Sequence, residues 1–351
     1  MSSYRNYLFS LAVMLFTVPL LTACTQQPQP QSWDIVYEQE GLSFRGISAV
    51  NDQVCWVSGS SGTILRTIDG GASWQQLSIP GTDSLDFRDI EAFDAQTAIA
   101  MSIGSGSSSR IYKTTDGGNS WIKVHQNEYE EGFYDAIAFW DNQHGILQGD
   151  PVEGRLYVLV TSDGGDSWQE IPIADMPDGK EGEYGFAASG THLVVHGTST
   201  AWLGTGGSVA RVFKSNDKGA NWRAYDTPVI SGESSQGIFS LAFKDATHGV
   251  AVGGDYTKEK EGSQNIAVTE DGGRNWELVD NTGVDYRSGV RYADGYYIAV
   301  GPSGSNYSSD DGQSWKIIEG PGFHAASVGA EGLESVWASG ADGRIGKLVR
   351  E

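Results

Sequence analysis

Three arginines recur at one place in this sequence. Arg45, Arg88 and Arg287 each follow an aromatic residue that opens a short run, in FRGISAV, FRDIEAF and YRSGVRY. The matching place in the other runs holds Tyr134, Gly185, Ser240 and His324. Side chains alternate along a strand, so an aromatic that turns into a packing layer sends its successor to the other side. Guanidinium forks converging there would grip a carboxylate or another anion bidentately. The alternative is that each arginine pairs with a local acid such as Asp89, Asp135 or Asp285 and serves only the frame. Either role needs elements that bring residues so distant in sequence to one point.

Those elements are a repeat. The string Ser/Thr-x-Asp-x-Gly-x-Ser/Asn-Trp occurs six times, with Asp69 and Trp74, Asp116 and Trp121, Asp163 and Trp168, Asp217 and Trp222, Asp271 and Trp276, and Asp310 and Trp315. The aspartates are spaced by 47, 47, 54, 54 and 39 residues, a period that marks a repeat architecture. Each copy reads as a hairpin. The aspartate accepts from amides of its own turn, glycine supplies positive φ, and the indole gains from burial at a seam between sheets. Upstream of each hairpin lie three apolar runs of 4–7 residues bounded by glycine or polar turns, which read as strands.

The units start at Phe44, Phe87, Phe133, Tyr184, Phe239, Tyr286 and Phe323. The seventh ends at Glu351 without its Trp hairpin, and WDIVYE at residues 33–38 is the strand free to replace it. Trp33 then takes the slot of the missing box tryptophan, and closure removes the last open edge. The expected fold is all-β: a seven-bladed β-propeller of four-stranded blades, its ring closed by the N-terminal strand. The longest insertions fall in units three, four and five, as GDPVEGR, GTSTAWLGTGGSVAR and GGDYTKEKEGSQN.

The hairpin resembles the Asp-box, or bacterial neuraminidase repeat, of β-propellers. Asp-boxes lie on the outside of such rings, in enzymes and binding proteins alike, so the resemblance implies fold more than function. Blade rhythm and box together look like the photosystem II stability/assembly-factor-like propellers, whose photosynthetic members bind a partner polypeptide through an arginine patch on one face. That resemblance implies a non-enzymatic binding or assembly scaffold, with Arg45, Arg88, Arg287, Tyr134 and His324 as candidate contacts. Sialidases are the other comparison, with three arginines on the sugar carboxylate and a Tyr/Glu nucleophile pair. Tyr134 or Tyr286 with Glu128, Glu130 or Glu131 would have to fill those roles for an acidic glycan. The starts FRGI and FRDI depart from the sialidase Phe-Arg-Ile-Pro pattern.

The first 23 residues read as a leader. Arg5 precedes the apolar LFSLAVMLFTVPLL, and Leu21-Thr22-Ala23-Cys24 resembles the lipobox of bacterial lipoproteins. That resemblance implies acylation of Cys24, a tether over residues 24–31, one propeller over 32–351, and an anchor in the inner leaflet of the outer membrane facing the periplasm. A net charge of -22 argues against nucleic acid as a partner, which leaves an envelope protein or peptide, bound by a monomer. Cys55, in VCWV, reads as a buried small hydrophobe. His144 and His248 occupy equivalent turns, DNQHG and DATHG, and read as structural. His196 with Asp150, Asp255 and Tyr256 could line a polar pocket. No metal site is expected. No glycine loop follows a strand and opens a helix, so no cofactor is implied.

Overall fold

The computed structural model describes residues 28–280 and 282–351; the leader and Cys24 lie outside them. Seven antiparallel sheets follow one another along the chain, six of four strands and one of six. Blade one runs Phe44–Ala49, Cys55–Gly59, Ile64–Thr67 and Gln75–Leu77. The inner strands of the following blades are Asp86–Ala92, Tyr134–Phe139, Leu193–His196, Gln236–Phe243, Gly289–Ala293 and Ala325–Val328.

The hairpin chemistry is as the motif implies. In the first box Thr67 Oγ1 donates to Asp69 Oδ1 at 2.8 Å and accepts from the Gly71 amide at 3.0 Å. Asp69 also accepts from the Ser73 amide at 2.9 Å, while Gly70 and Gly71 sit at φ 72° and 89°. The same bonds recur at Asp116, Asp163, Asp217, Asp271 and Asp310. At Asp116 the bonds from Ser120 hold the carboxyl down at about 2. Each indole then packs on the preceding blade: Trp121 meets Trp56 edge-on at 6.2 Å, and Trp74 meets Trp337 at 6.0 Å. The core is thus seven seams rather than one centre, and Cys55 is buried in one of them.

The ring closes as the orphan strand requires. Pro30–Tyr37 pairs with Ile345–Arg350 as the outermost strand of blade seven. Trp33, opposite Leu348, is buried with Tyr296, Ile298 and Tyr307 of blade six and Phe323 of its own. That is the seam position of a box tryptophan.

Blade four differs from the sequence expectation. Its inner strand is Leu193–His196 and its second strand is Thr200–Gly204. TAWLG is therefore blade, not insertion, and YGFAASG from Tyr184 is not a blade strand. The misreading arises because YGFAASG carries the aromatic-small-apolar pattern of a real inner strand. Glu183–Tyr184 instead pairs with Gly206–Gly207, and Gly206 with Gly237, which extends blade five at its inner edge.

Trp33→Ala should lower the unfolding free energy by about 3–5 kcal/mol, the range for emptying a buried aromatic site. Urea denaturation followed by tryptophan fluorescence measures it. A loss under about 1 kcal/mol would mean that the seam does not depend on this strand.

Candidate functional site

The inner strands are not regular. Register slips by one residue between Phe44 and Gly46, Phe87 and Asp89, Tyr134 and Ala136, and Ile238 and Ser240. A β-bulge leaves its extra residue outside the ladder and re-aims it. The extra residues are Arg45, Arg88, Asp135 and Phe239, and all four line one cavity of about 500 Å³ at a mouth of the axial channel. In blade seven His324 holds the place next to Ala325 that Arg45 holds next to Gly46, and it lines the same cavity.

The cavity has a floor. Residues 185–191 cross the axis on the way into the inner strand of blade four, meeting blades one, two, three, five and six. Arg45 Nη1 donates to the Ala188 carbonyl at 3.2 Å, and Arg88 Nη1 to the Ala187 carbonyl at 3.2 Å. Ser189 Oγ donates to the Ser288 carbonyl at 2.7 Å, and the Thr191 and Ser240 hydroxyls bond to one another. Gly190, at φ 70°, lies so close to Asp89 that an added Cβ would sit 2.4 Å from its carboxyl. Only glycine meets both demands. The approach to this plug is pinned by Glu183, which accepts from Arg211 Nε at 2.9 Å in a buried ion pair.

Above the plug the walls differ in character. On one side stand Arg45, Arg88 and His324. Burial, then Arg88, lowers the pKa of Arg45, while Arg88 is steadied by Asp86 at 2.8 Å. Burial, then the charges of Arg45, Arg88 and Arg344, holds His324 down at about 3, so its ring stays neutral. On the other side Asp135 and Asp150 share one buried niche. Burial pushes Asp135 well up, reinforced by Asp150; burial lifts Asp150 to about 6 against bonds from Asp135 and the Gly185 amide. Burial and proximity together disfavour a second negative charge in this niche. Phe186 stacks on Phe239 at 3.9 Å, and Tyr286 meets Phe239 edge-on at 4.9 Å. Two buried polar atoms of this lining, Asp150 Oδ1 and His324 Nδ1, have no protein partner. Buried polar groups are ordinarily satisfied, so these two mark places for a ligand or water.

The candidate residues from sequence divide accordingly. Arg45, Arg88 and His324 converge on the cavity. Arg287 does not: it is buried in blade six, donating from Nε and Nη2 to Asn306 Oδ1 at 3.1 and 2.6 Å and from Nη1 to Ser303 Oγ at 2.9 Å. It fills the seam place that Phe44 fills in blade one, opposite the strand-ending glycine, so the frame of unit six is one residue off and Ser288 faces the mouth. Tyr134 is also misplaced. It takes the seam place in blade three, bonds His125 Nδ1 at 2.8 Å, and leaves Asp135 at the mouth. Ser240 and Gly185 likewise yield the outward place to Phe239 and the plug. Asp135, Asp150, Phe186 and Tyr286 line the cavity although the aromatic rule does not place them there; of the four, the bulge register accounts for Asp135 alone.

The other histidines follow the frame. His144 and His248 sit in equivalent turns, Nδ1 against Asp141 at 3.0 Å and Asp245 at 2.9 Å. His196 pairs with Thr200 at a hairpin end against Trp202, apart from Asp150 and Tyr256, which line the mouth. Among the described residues no group of three or more His, Cys, Asp or Glu could hold a metal ion.

These placements separate frame from site. Arg287→Ala should cost roughly 2 kcal/mol of stability, as expected when buried partners of a cation are orphaned, and leave the mouth unchanged. Arg45→Ala with Arg88→Ala should instead raise hydrogen exchange of the amides in 185–191 with a smaller change in global stability. Equal exchange in the plug of both variants would contradict the assignment.

Residues 25–129 match the family model "Photosynthesis system II assembly factor YCF48". No curated protein matches the chain. Among solved structures, "YCF48 bound to D1 peptide" is similar at TM-score 0.64 and 15% identity, covering 92% of this chain and 98% of that one. YCF48 from Cyanidioschyzon merolae is similar at 0.59 and 16%, covering 90% and 98%. An ancestral GH74 enzyme aligns at 0.57 and 16%, covering 89% of this chain but 45% of its own. At such identities the structures speak for the fold alone. The matched stretch spans the first two blades, and the whole ring shares the propeller fold of these solved structures.

Proposed function

We propose that this chain is a non-enzymatic scaffold of the bacterial envelope that binds a peptide segment of a partner protein at the plugged mouth. The observation that carries this reading is the division of one 500 Å³ cavity into a cationic wall, a carboxyl pair and an aromatic surface. A peptide offers the complementary set: an acidic side chain or terminal carboxylate for Arg45 and Arg88, and apolar side chains for Phe186, Phe239 and Tyr286. Charge-assisted bidentate bonds fix orientation, while aromatic contact supplies area. The solved relative bound to D1 peptide supports the same use of the fold.

Catalysis fits the site less well. Tyr134 is buried away from the cavity and its hydroxyl is held by His125. Tyr286 lines it, but burial raises its pKa against the pull of Arg45, and among the described residues no carboxylate hydrogen-bonds its hydroxyl as an activating base. Asp135 and Asp150 lie together in one buried niche, close enough to perturb ionisation there, whereas carboxyls that work on a glycosidic bond stand on either side of it. The lipobox Leu21-Thr22-Ala23-Cys24 supports acylation and an anchor at the outer membrane, facing the periplasm.

Selection of a random peptide display library on the full mature chain tests the proposal. Enriched peptides should carry an acidic group beside apolar residues and lose at least ~10-fold in affinity on the Arg45→Ala, Arg88→Ala double variant. Binding of such a peptide should tighten as pH falls from 7 to 5, because Asp150 gains a proton near about 6 and its negative charge is removed from the mouth. His324, held near about 3, contributes nothing in that window. Asp150→Asn should flatten the profile. Enriched peptides that bind the double variant as well as the parent would overturn the proposal.

A further inference from the structure

The axial channel has a second mouth on the other side of the plug, with a cavity of about 430 Å³. One position in every inner strand faces it, fixed by pairing with the residue that carries Trp56 in blade one. In five blades that position is small or apolar: Ser48, Ala138, Val194, Ala242 and Ser327. The remaining two are Glu91 in blade two and Arg291 in blade six. All seven line this cavity. Three steps around a ring of seven set blades two and six nearly opposite, so a carboxylate and a guanidinium face one another across the opening.

Neither charge is satisfied within the protein. Among the described residues Glu91 and Arg291 form no ion pair, with each other or elsewhere, and neither side chain makes a hydrogen bond. They nevertheless feel one another: Arg291 lowers the pKa of Glu91, which burial pushes up to about 7. Asp89 lies deeper, bonded by the amides of Ile90 at 2.9 Å and Ile137 at 2.8 Å, and does not line the cavity. A simple anion on Arg291 would confront Glu91, and a simple cation on Glu91 would confront Arg291. A molecule carrying both signs relieves both, since half-buried charges need partners.

We propose that this second mouth binds a free α-amino acid with an apolar side chain, its ammonium on Glu91 and its carboxylate on Arg291. The walls between the charges suit that side chain: Phe139, Phe243, Tyr292, Val195 and Val328 line the same space. The volume lies at the small end of ligand pockets, enough for an amino acid and too little for a folded segment of a partner. The site is separate from the plugged mouth and does not rest on the peptide reading.

Isothermal titration of the full mature chain with L-leucine and with N-acetyl-L-leucinamide tests it. L-leucine is expected to bind, with N-acetyl-L-leucinamide at least ~10-fold weaker, because blocking removes both charges. Glu91→Gln and Arg291→Gln should each weaken L-leucine at least ~10-fold, while the Arg45→Ala, Arg88→Ala double variant binds it as the parent does. The proposal is overturned if L-leucine and L-phenylalanine give no heat beyond dilution at millimolar concentration, or if the blocked amide binds as well as the free amino acid. The parent chain alone decides the latter comparison, whether or not a variant folds.

Discussion

A ring of seven sheets encloses a hole, and the inner strands cannot fill it by packing on one another. The segment 185–191 meets that constraint by crossing the axis, and much of the site follows from how it is held. Backbone that leaves a ladder and enters a protein interior must find partners for its carbonyls. Here the guanidiniums of Arg45 and Arg88 supply them at Ala188 and Ala187. The arginines that define the cationic wall therefore also secure its floor. Each keeps donors to spare, because a guanidinium has five and the plug takes one from each.

The same constraint sorts the charges. Above the plug, burial keeps His324 neutral and disfavours charge on Asp135 and Asp150, Asp86 pairs with Arg88, and among the described residues Arg45 has no ion pair. On a chain of net charge -22 this leaves a guanidinium open to an anionic group at the mouth. Low-dielectric walls sharpen the field of that charge, which favours docking of an anionic group in the mouth. Bulges make the arrangement possible, since an unbroken alternation would have turned the second residue of each strand along the pleat.

The fold was legible in the sequence because its signals are local and repeated. Asp69, Trp74 and their five counterparts count the blades, and the absence of a seventh box points to Trp33. The site was legible only in part. Arg45, Arg88 and His324 follow a seam aromatic directly, and the rule places them correctly. Arg287 and Tyr134 break it because the seam position itself is what they occupy. In FYDAI two aromatic candidates stand side by side, and in YRSGV the arginine takes the aromatic's place. Which residue is squeezed out of a ladder depends on the partner strand, and no spacing within one strand records it. YGFAASG misled for a related reason: a plug and an inner strand are both short, apolar and rich in small residues.

The central claim is that the plugged mouth, not the tryptophan-bearing rim, receives the ligand. A structure of the chain with a selected peptide tests it most directly. An acidic group of the peptide is expected within hydrogen-bonding reach of both Arg45 and Arg88, over the Ala187 and Ala188 carbonyls. A peptide lying along the Asp-box hairpins, with the mouth empty, would contradict it.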